Sequence, residues 1–165
     1  MVANGMVVCY SITTIKKRRS TLMFFCTGEQ RLSLDDKGRM RIPMKMFEKL
    51  GKDFVVYAGT NDCLFVVPMK DFQEKYYEIS QDLLLNEKEK QEALRKLSST
   101  VQVPEIDAQG RFILQPKLKA IAKISKKMVF LGVMDRIEIW SEEVYDARYS
   151  LDNIDMTEVV NTLKI

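Results

Sequence analysis

The chain contains no histidine. That absence removes the commonest general base at neutral pH, and with it serine–histidine, cysteine–histidine and most zinc chemistry. Cysteine is almost as scarce. Cys9, Cys26 and Cys63 form an odd set without metal-ligand spacing, so neither a disulfide framework nor a metal site is expected. Cys63 has apolar neighbours in Leu64 and Phe65 and no histidine to activate it, and it reads as a buried core residue rather than a nucleophile. No apolar run is long enough to span a bilayer. Charge of one sign is not in large excess either: 26 basic residues against 23 acidic ones leave a net charge of +3. A surface for nucleic acid must therefore come from local clustering, because composition alone does not announce one. What is present is a chain of 165 residues, 46% hydrophobic, sized for one compact domain or two very small ones around a real core. The expectation is a soluble cytosolic protein that is not an enzyme and needs no metal or cofactor.

Residues Met1 to Leu22 show no clear period and end in the basic cluster Lys16-Lys17-Arg18-Arg19. A signal peptide places positive charge before its apolar stretch, and here the order is reversed. A basic arm that neutralises phosphates is one reading. The favoured one is upstream sequence read ahead of a true start at Met23: paired arginines encoded as AGG-AGG would form a ribosome-binding sequence about three codons before it. Residues 1–22 are accordingly set aside as a non-structured extension or a misplaced start.

The rest of the chain repeats itself. Asp35-Asp36-Lys37-Gly38-Arg39 and Asp107-Ala108-Gln109-Gly110-Arg111 share the pattern Asp-x-x-Gly-Arg, 72 positions apart. Strand-like sequence precedes each (Gln30 to Leu34; Val101 to Ile106), and a short apolar run, a proline and a helix-like segment follow. Phe54 to Ala58 then matches Met128 to Leu131, with Gly59 and Gly132 after them. Asp62 to Val67 matches Asp135 to Trp140. The later pairs are 73 apart, so the second copy carries one extra residue near Gln115-Pro116. Order kept over some forty residues makes this a repeat rather than a coincidence.

Each copy reads as strand–turn–strand–helix–strand–turn–strand. An aspartate that bonds its own turn backbone and a glycine free to take positive φ close a tight reversal. Pro43 suits the first turn of a helix and Gly51 its end; Pro116 opens the second helix, with Ser125 near its close. Asp71 to Ile79 and Asn86 to Leu97 read as two helices between the copies, with Asn86 and Glu89 as a capping pair. Ser141 caps a last short helix, and the tail after Tyr149 is weakly determined. The expected division is a first repeat over 23–79, a linking helix over 80–100, a second repeat over 101–149 and a tail over 150–165. Units this small bury little surface alone, so they should interlock in a β-rich α+β fold, a pseudo-twofold β-barrel with helices at its edges.

With both motifs and the stretches Cys63-Leu64-Phe65-Val66-Val67-Pro68 and Gly132 to Trp140 in view, the chain resembles the MraZ family over about Met23 to Tyr149. The resemblance implies two AbrB-like ββαββ repeats in a double-psi-like barrel, assembled into a ring of subunits. It implies binding of double-stranded DNA at short direct repeats upstream of the protein's own division and cell-wall operon, repression of that operon, and a place on the nucleoid. It also implies that the Asp-x-x-Gly-Arg loops face DNA. Mapped here, the contacting candidates are Arg39 and Arg111, with Lys37, Gln109 and Arg41 beside them, and Asp35, Gly38, Asp107 and Gly110 shape the loops. The sequence departs from the family pattern at Gln30 and Leu32 in the first strand, at Phe47, and at Leu114-Gln115-Pro116.

Arginine suits guanine because its planar fork reaches O6 and N7 together in the major groove. Lys37, Arg41 and Lys45 near the first loop, and Lys117, Lys119, Lys123, Lys126 and Lys127 after the second, read better as phosphate contacts, and most of the lysines as nothing more than solvated side chains. From the residues alone, Arg39 and Arg111 would form turn-stiffening salt bridges to Asp35 and Asp107; the resemblance favours DNA. Two further readings stay open. A pair of aspartates on a pseudo-twofold barrel could share a proton as in aspartic proteases, although the adjacent arginine argues against it. A ring-forming scaffold for a protein partner is the other.

Overall fold

The computed structural model describes residues 24–82 and 87–164. Met1 to Leu22, the proposed start at Met23, Cys9 and the capping residue Asn86 lie outside the described residues. The first repeat contains β1 (Cys26–Ser33), β2 (Arg39–Arg41), α1 (Met44–Leu50), β3 (Phe54–Ala58) and β4 (Leu64–Pro68). Two helices follow, α2 (Met69–Asp82) and α3 (Lys88–Ser98). The second repeat contributes β5 (Arg111–Ile113), α4 (Pro116–Ile121), β6 (Lys127–Met134) and β7 (Arg136–Ser141), and α5 (Glu142–Tyr149) and α6 (Met156–Leu163) close the chain.

Five strands form one antiparallel sheet in the order β1-β6-β7-β4-β3, and β2 pairs with β5 in a separate two-stranded ribbon. Both sheets join one repeat to the other. In the large sheet Phe65 lies opposite Glu138, its own counterpart in the repeat; in the ribbon Met40 lies opposite its counterpart Phe112. A pseudo-twofold axis therefore runs through these two pairs. The repeats also exchange strands: β1 of the first lies along β6 of the second over eight residue pairs. Gly132 is required there, since a Cβ would come within 2.7 Å of the Thr27 backbone nitrogen.

The mirror exchange is almost absent, which corrects the expectation of a strand over Val101 to Ile106. That segment touches β3 through a single bridge, with Val56 and Gln102 exchanging backbone hydrogen bonds of 2.9 and 2.8 Å. Pro104 has no N–H to extend the ladder. The helix ends differ in detail too. Pro43 stands just before α1 and its carbonyl accepts from Met46 and Phe47, whereas Pro116 is the first residue of α4. Gly51 closes α1 at φ 81°, while Lys123 takes the left-handed conformation beyond α4 at φ 54°.

One apolar core fills the space between sheet and ribbon, with Met40, Ile42, Phe54, Phe112, Leu118 and Phe130 fully buried within it. Strand alternation explains how the ribbon takes part: Met40 and Phe112 point inward, and their neighbours point out. Cys63 is buried as expected, and burial pushes its thiol pKa up to about 12. Glu138 is buried as well, and its carboxylate accepts from Arg136 Nε at 2.9 Å and Trp140 Nε1 at 3.0 Å. Ser141 caps α5 by accepting from the Val144 N–H at 3.3 Å, and Arg31 fastens that helix to β1 through Asp146 at 2.8 Å.

α3 begins after Glu87, which makes no side-chain cap; the Tyr76 and Ser98 hydroxyls bond α2 to α3. The tail forms a turn at Leu151–Asn153 and then α6, which Asp155 caps through the Thr157 N–H at 2.9 Å. Met156, Val159, Val160 and Leu163 make an apolar stripe on α6 at helical spacing, and all four are exposed. Among the described residues no helix is long and apolar enough to cross a membrane.

Candidate nucleic-acid interface

The two Asp-x-x-Gly-Arg segments fold into the same turn. In the first, the Gly38 N–H donates to the Asp35 carbonyl and the Asp35 N–H to the Arg39 carbonyl, both at 2.9 Å. In the second, Gly110 and Asp107 repeat those bonds at the same lengths. The aspartate side chain does most of the fastening. Asp35 Oδ1 accepts from the backbone N–H groups of Lys37 and Arg39 at 2.9 Å, and Asp107 Oδ1 accepts from Gln109 and Arg111 at 2.8 and 2.9 Å. The glycines sit at φ 72° and 73°, where a Cβ is strained. Each turn is thus fastened from within by its own aspartate.

Each arginine lies back on its own aspartate. Arg39 Nε is 2.7 Å from Asp35 Oδ2, and Arg111 Nε is 2.9 Å from Asp107 Oδ2. Arg39 reaches further, with Nη1 3.5 Å from Asp107 Oδ2, so it ties the two loops together. The salt bridge read from the residues alone is present, and the Arg39 and Arg111 side chains remain 24% and 31% exposed. The carboxylates respond accordingly. Hydrogen bonds from the Arg111 backbone, then its side chain, hold Asp107 at about 2, and the equivalent bonds from Arg39 lower Asp35. Two carboxyls sharing a proton need one pKa raised. Both are lowered here, so the site is not arranged as an aspartic-protease pair.

Because the turns lead straight into β2 and β5, the ribbon carries the candidates on one face. Arg39 lies opposite Ile113 and Arg41 opposite Arg111, with Met40 and Phe112 buried beneath. Lys37 and Gln109 stand exposed on the two turns. A cavity of about 520 Å³ adjoins them, lined by Arg41, Met44, Phe47, Lys52 and Gln109 among others. Phe47 supports the second turn: its ring lies 3.9 Å from where a Gly110 Cβ would be and packs edge-on against Phe54 at 6.4 Å.

Three of the outlying lysines are engaged by other partners. Lys117 donates to the Ser99 carbonyl, Lys123 pairs with Asp62 at 2.8 Å and Lys127 with Glu142 at 3.4 Å. One residue that the sequence reading passed over belongs to the ribbon's support. Gln102, buried, donates from Nε2 to the Ile113 carbonyl and accepts at Oε1 from the Gln115 N–H, both at 2.9 Å. Its match with Gln30, 72 positions earlier, was the available signal.

Fold and site together define a two-repeat α+β protein whose repeats meet in a basic, outward-facing β-ribbon. Comparison with known proteins places it further. A family model described as "MraZ protein, putative antitoxin-like" matches residues 25–96 and again residues 97–162. The chain is 33% identical over 136 residues to "Transcriptional regulator MraZ" of Thermoanaerobacter sp. (strain X514), covering 82% of this chain and 94% of that protein. It is 38% identical over 132 residues to the protein of that name from Natranaerobius thermophilus, covering 77% and 92%. With the protein of that name from Lachnoclostridium phytofermentans the identity is 36% over 128 residues, covering 78% and 89%. The chain belongs to the MraZ family.

Proposed function

We propose that this protein is a sequence-specific DNA-binding transcriptional regulator, not an enzyme, working in the cytoplasm on the nucleoid. It binds short direct repeats in the promoter of its own division and cell-wall operon through the Asp-x-x-Gly-Arg loops, and represses it. The observation that carries this reading is the ribbon face: Arg39, Arg41 and Arg111 project together from two strands, and a two-stranded ribbon is an element the major groove admits. Arg39 and Arg111 read bases, Lys37 and Gln109 contact the duplex from the turns, and Arg41 adds positive charge. Asp35, Gly38, Asp107 and Gly110 hold the loops in shape. Relatives at 33–38% identity carry the name of transcriptional regulators, which supports the same reading.

One subunit offers too few contacts for a specific site, and a ring of subunits facing repeated boxes multiplies them through effective concentration. The uncovered apolar stripe of α6 supports such self-association. The strand exchange between β1 and β6 supports reading the repeats (23–79 and 101–149, joined by 80–100 and followed by the tail 150–165) as AbrB-like units in a double-psi-like barrel. The same α6 stripe also suits a second reading, a ring-forming scaffold for a protein partner.

Fluorescence anisotropy of the full chain against its own upstream duplex and a scrambled one, across salt, separates these readings. A preference for the native duplex that falls steeply with salt, and that Arg39→Ala and Arg111→Ala each reduce while light scattering shows an intact assembly, is the expected result. Equal or absent binding to both duplexes moves the assignment to the scaffold.

A further inference from the structure

The outer face of the ribbon carries four side chains. Arg39 and Arg41 come from the first repeat, Arg111 and Ile113 from the second. Three of them suit a duplex by charge alone. Ile113 does not. It is 62% exposed, a branched aliphatic side chain set in the open opposite Arg39 and two residues along from Arg111. Its counterpart in the repeat is Arg41, so among the four ribbon side chains this position is where the pseudo-twofold face loses its symmetry.

The position is also held firmly. The Ile113 carbonyl accepts from Gln102 Nε2, and Gln102 is itself fixed by the Gln115 N–H and by its backbone bridge to Val56. Gln102 is only 8% exposed. The first repeat lacks this clamp: Pro43 stands where Gln115 would be and has no N–H to offer, and Gln30 lies within β1 opposite Phe130.

Resting on the regulator reading above, we infer that Ile113 determines specificity: it packs against the 5-methyl group of a thymine in the major groove and so sets the direction in which the ribbon lies on DNA. Thymine alone among the bases carries a methyl group there, and apolar side chains are the ones that recognise it. Residues two apart on a strand are separated by roughly 6.8 Å, about two base steps at 3.4 Å per nucleotide. Ile113 therefore meets a thymine about two steps from the base pair faced by Arg111. A face with true twofold symmetry would lie equally well in either direction. With arginine on one side and isoleucine on the other, each box acquires a direction, as boxes repeated head to tail require.

Deoxyuridine tests this directly, since it differs from thymidine only in lacking the methyl group. Each thymine of the upstream boxes is replaced in turn, and the duplexes are titrated with the full chain, Ile113→Ser and Ile113→Val by anisotropy. One thymine position per box is expected to weaken the unmodified chain about fourfold, the size of one buried methyl group. Ile113→Val should retain that sensitivity. Ile113→Ser, with circular dichroism and light scattering unchanged, should lose it. No sensitive position, or equal sensitivity in Ile113→Ser, overturns the role of Ile113 while leaving DNA binding in place. If the unmodified chain does not prefer the native duplex over a scrambled one, the regulator reading itself falls, and this inference with it.

Discussion

The two repeats carry the same turn in different surroundings. Asp35 and Asp107 make the same set of hydrogen bonds, with lengths that agree within 0.2 Å. Around them almost everything differs. The first repeat lends an eight-residue strand to the second and receives a single bridge in return. Arg39 touches both aspartates, whereas Arg111 pairs with its own alone among the described ion pairs. Beneath the ribbon, Met40 faces Phe112; above it, Arg41 stands where the other repeat has Ile113. A short polar motif closes its turn wherever it is placed, because its bonds are local. Its role depends on what the rest of the chain packs beside it.

The largest expected effect tests the inner side of the ribbon. Phe112→Ala should cost about 3–5 kcal/mol of stability, and Met40→Ala should fall lower within about 2–5 kcal/mol. Phe112 stacks edge-on against Phe54 at 5.7 Å and leaves the larger void. Urea denaturation of both variants measures the difference, and a greater loss at Met40 would shift the weight of the core to the first repeat.

The outer side comes next. Arg111→Ala and Arg39→Ala should each remove about 1–3 kcal/mol of discrimination between native and scrambled duplexes. They should separate in thermal melting. Arg39→Ala also breaks the tie between loops and should melt lower than Arg111→Ala; equal melting would mean that the 3.5 Å contact contributes nothing.

Gly38→Val and Gly110→Val force a branched side chain into the left-handed region, at about 1–2 kcal/mol each. The near-identical φ values of 72° and 73° predict near-identical losses in chemical denaturation. An imbalance would show that Phe47, under Gly110 alone, makes the second loop less yielding.

The smallest effect is on pH. Asp35 and Asp107 have folded pKa values below the ordinary 3.8, Asp107 at about 2. Each bound carboxylate therefore adds stability that is fully present above about pH 3.8 and is lost as pH falls through the folded value. The melting temperature should decline from pH 4 to pH 2, and Asp107→Asn should flatten part of that decline. An unchanged slope in Asp107→Asn would place the acid sensitivity elsewhere.

Much of the fold was legible because it is encoded in neighbouring residues. The turns, the strands from Phe54 and Leu64 and those from Met128 and Arg136, and the Ser141 cap all follow from spacing, glycine and capping chemistry within a few residues. The segment from Val101 to Ile106 misled, since its apolar alternation suits a strand but Pro104 interrupts the ladder. The tail that forms α6 was left undetermined, and among the described residues its apolar stripe stays exposed, so no burial pattern marks it.

By itself, the sequence determined that the chain is a doubled unit with two identical aspartate–arginine turns and no residues for histidine chemistry. Only the tertiary structure decided that β2 and β5 pair edge to edge, that Arg39 spans both loops, and that buried Gln102 holds Ile113 in place. Those contacts join residues from 11 to 74 positions apart. Repetition and turn chemistry are local and survive in the linear order, whereas strand pairing depends on which distant surfaces bury the most apolar area together.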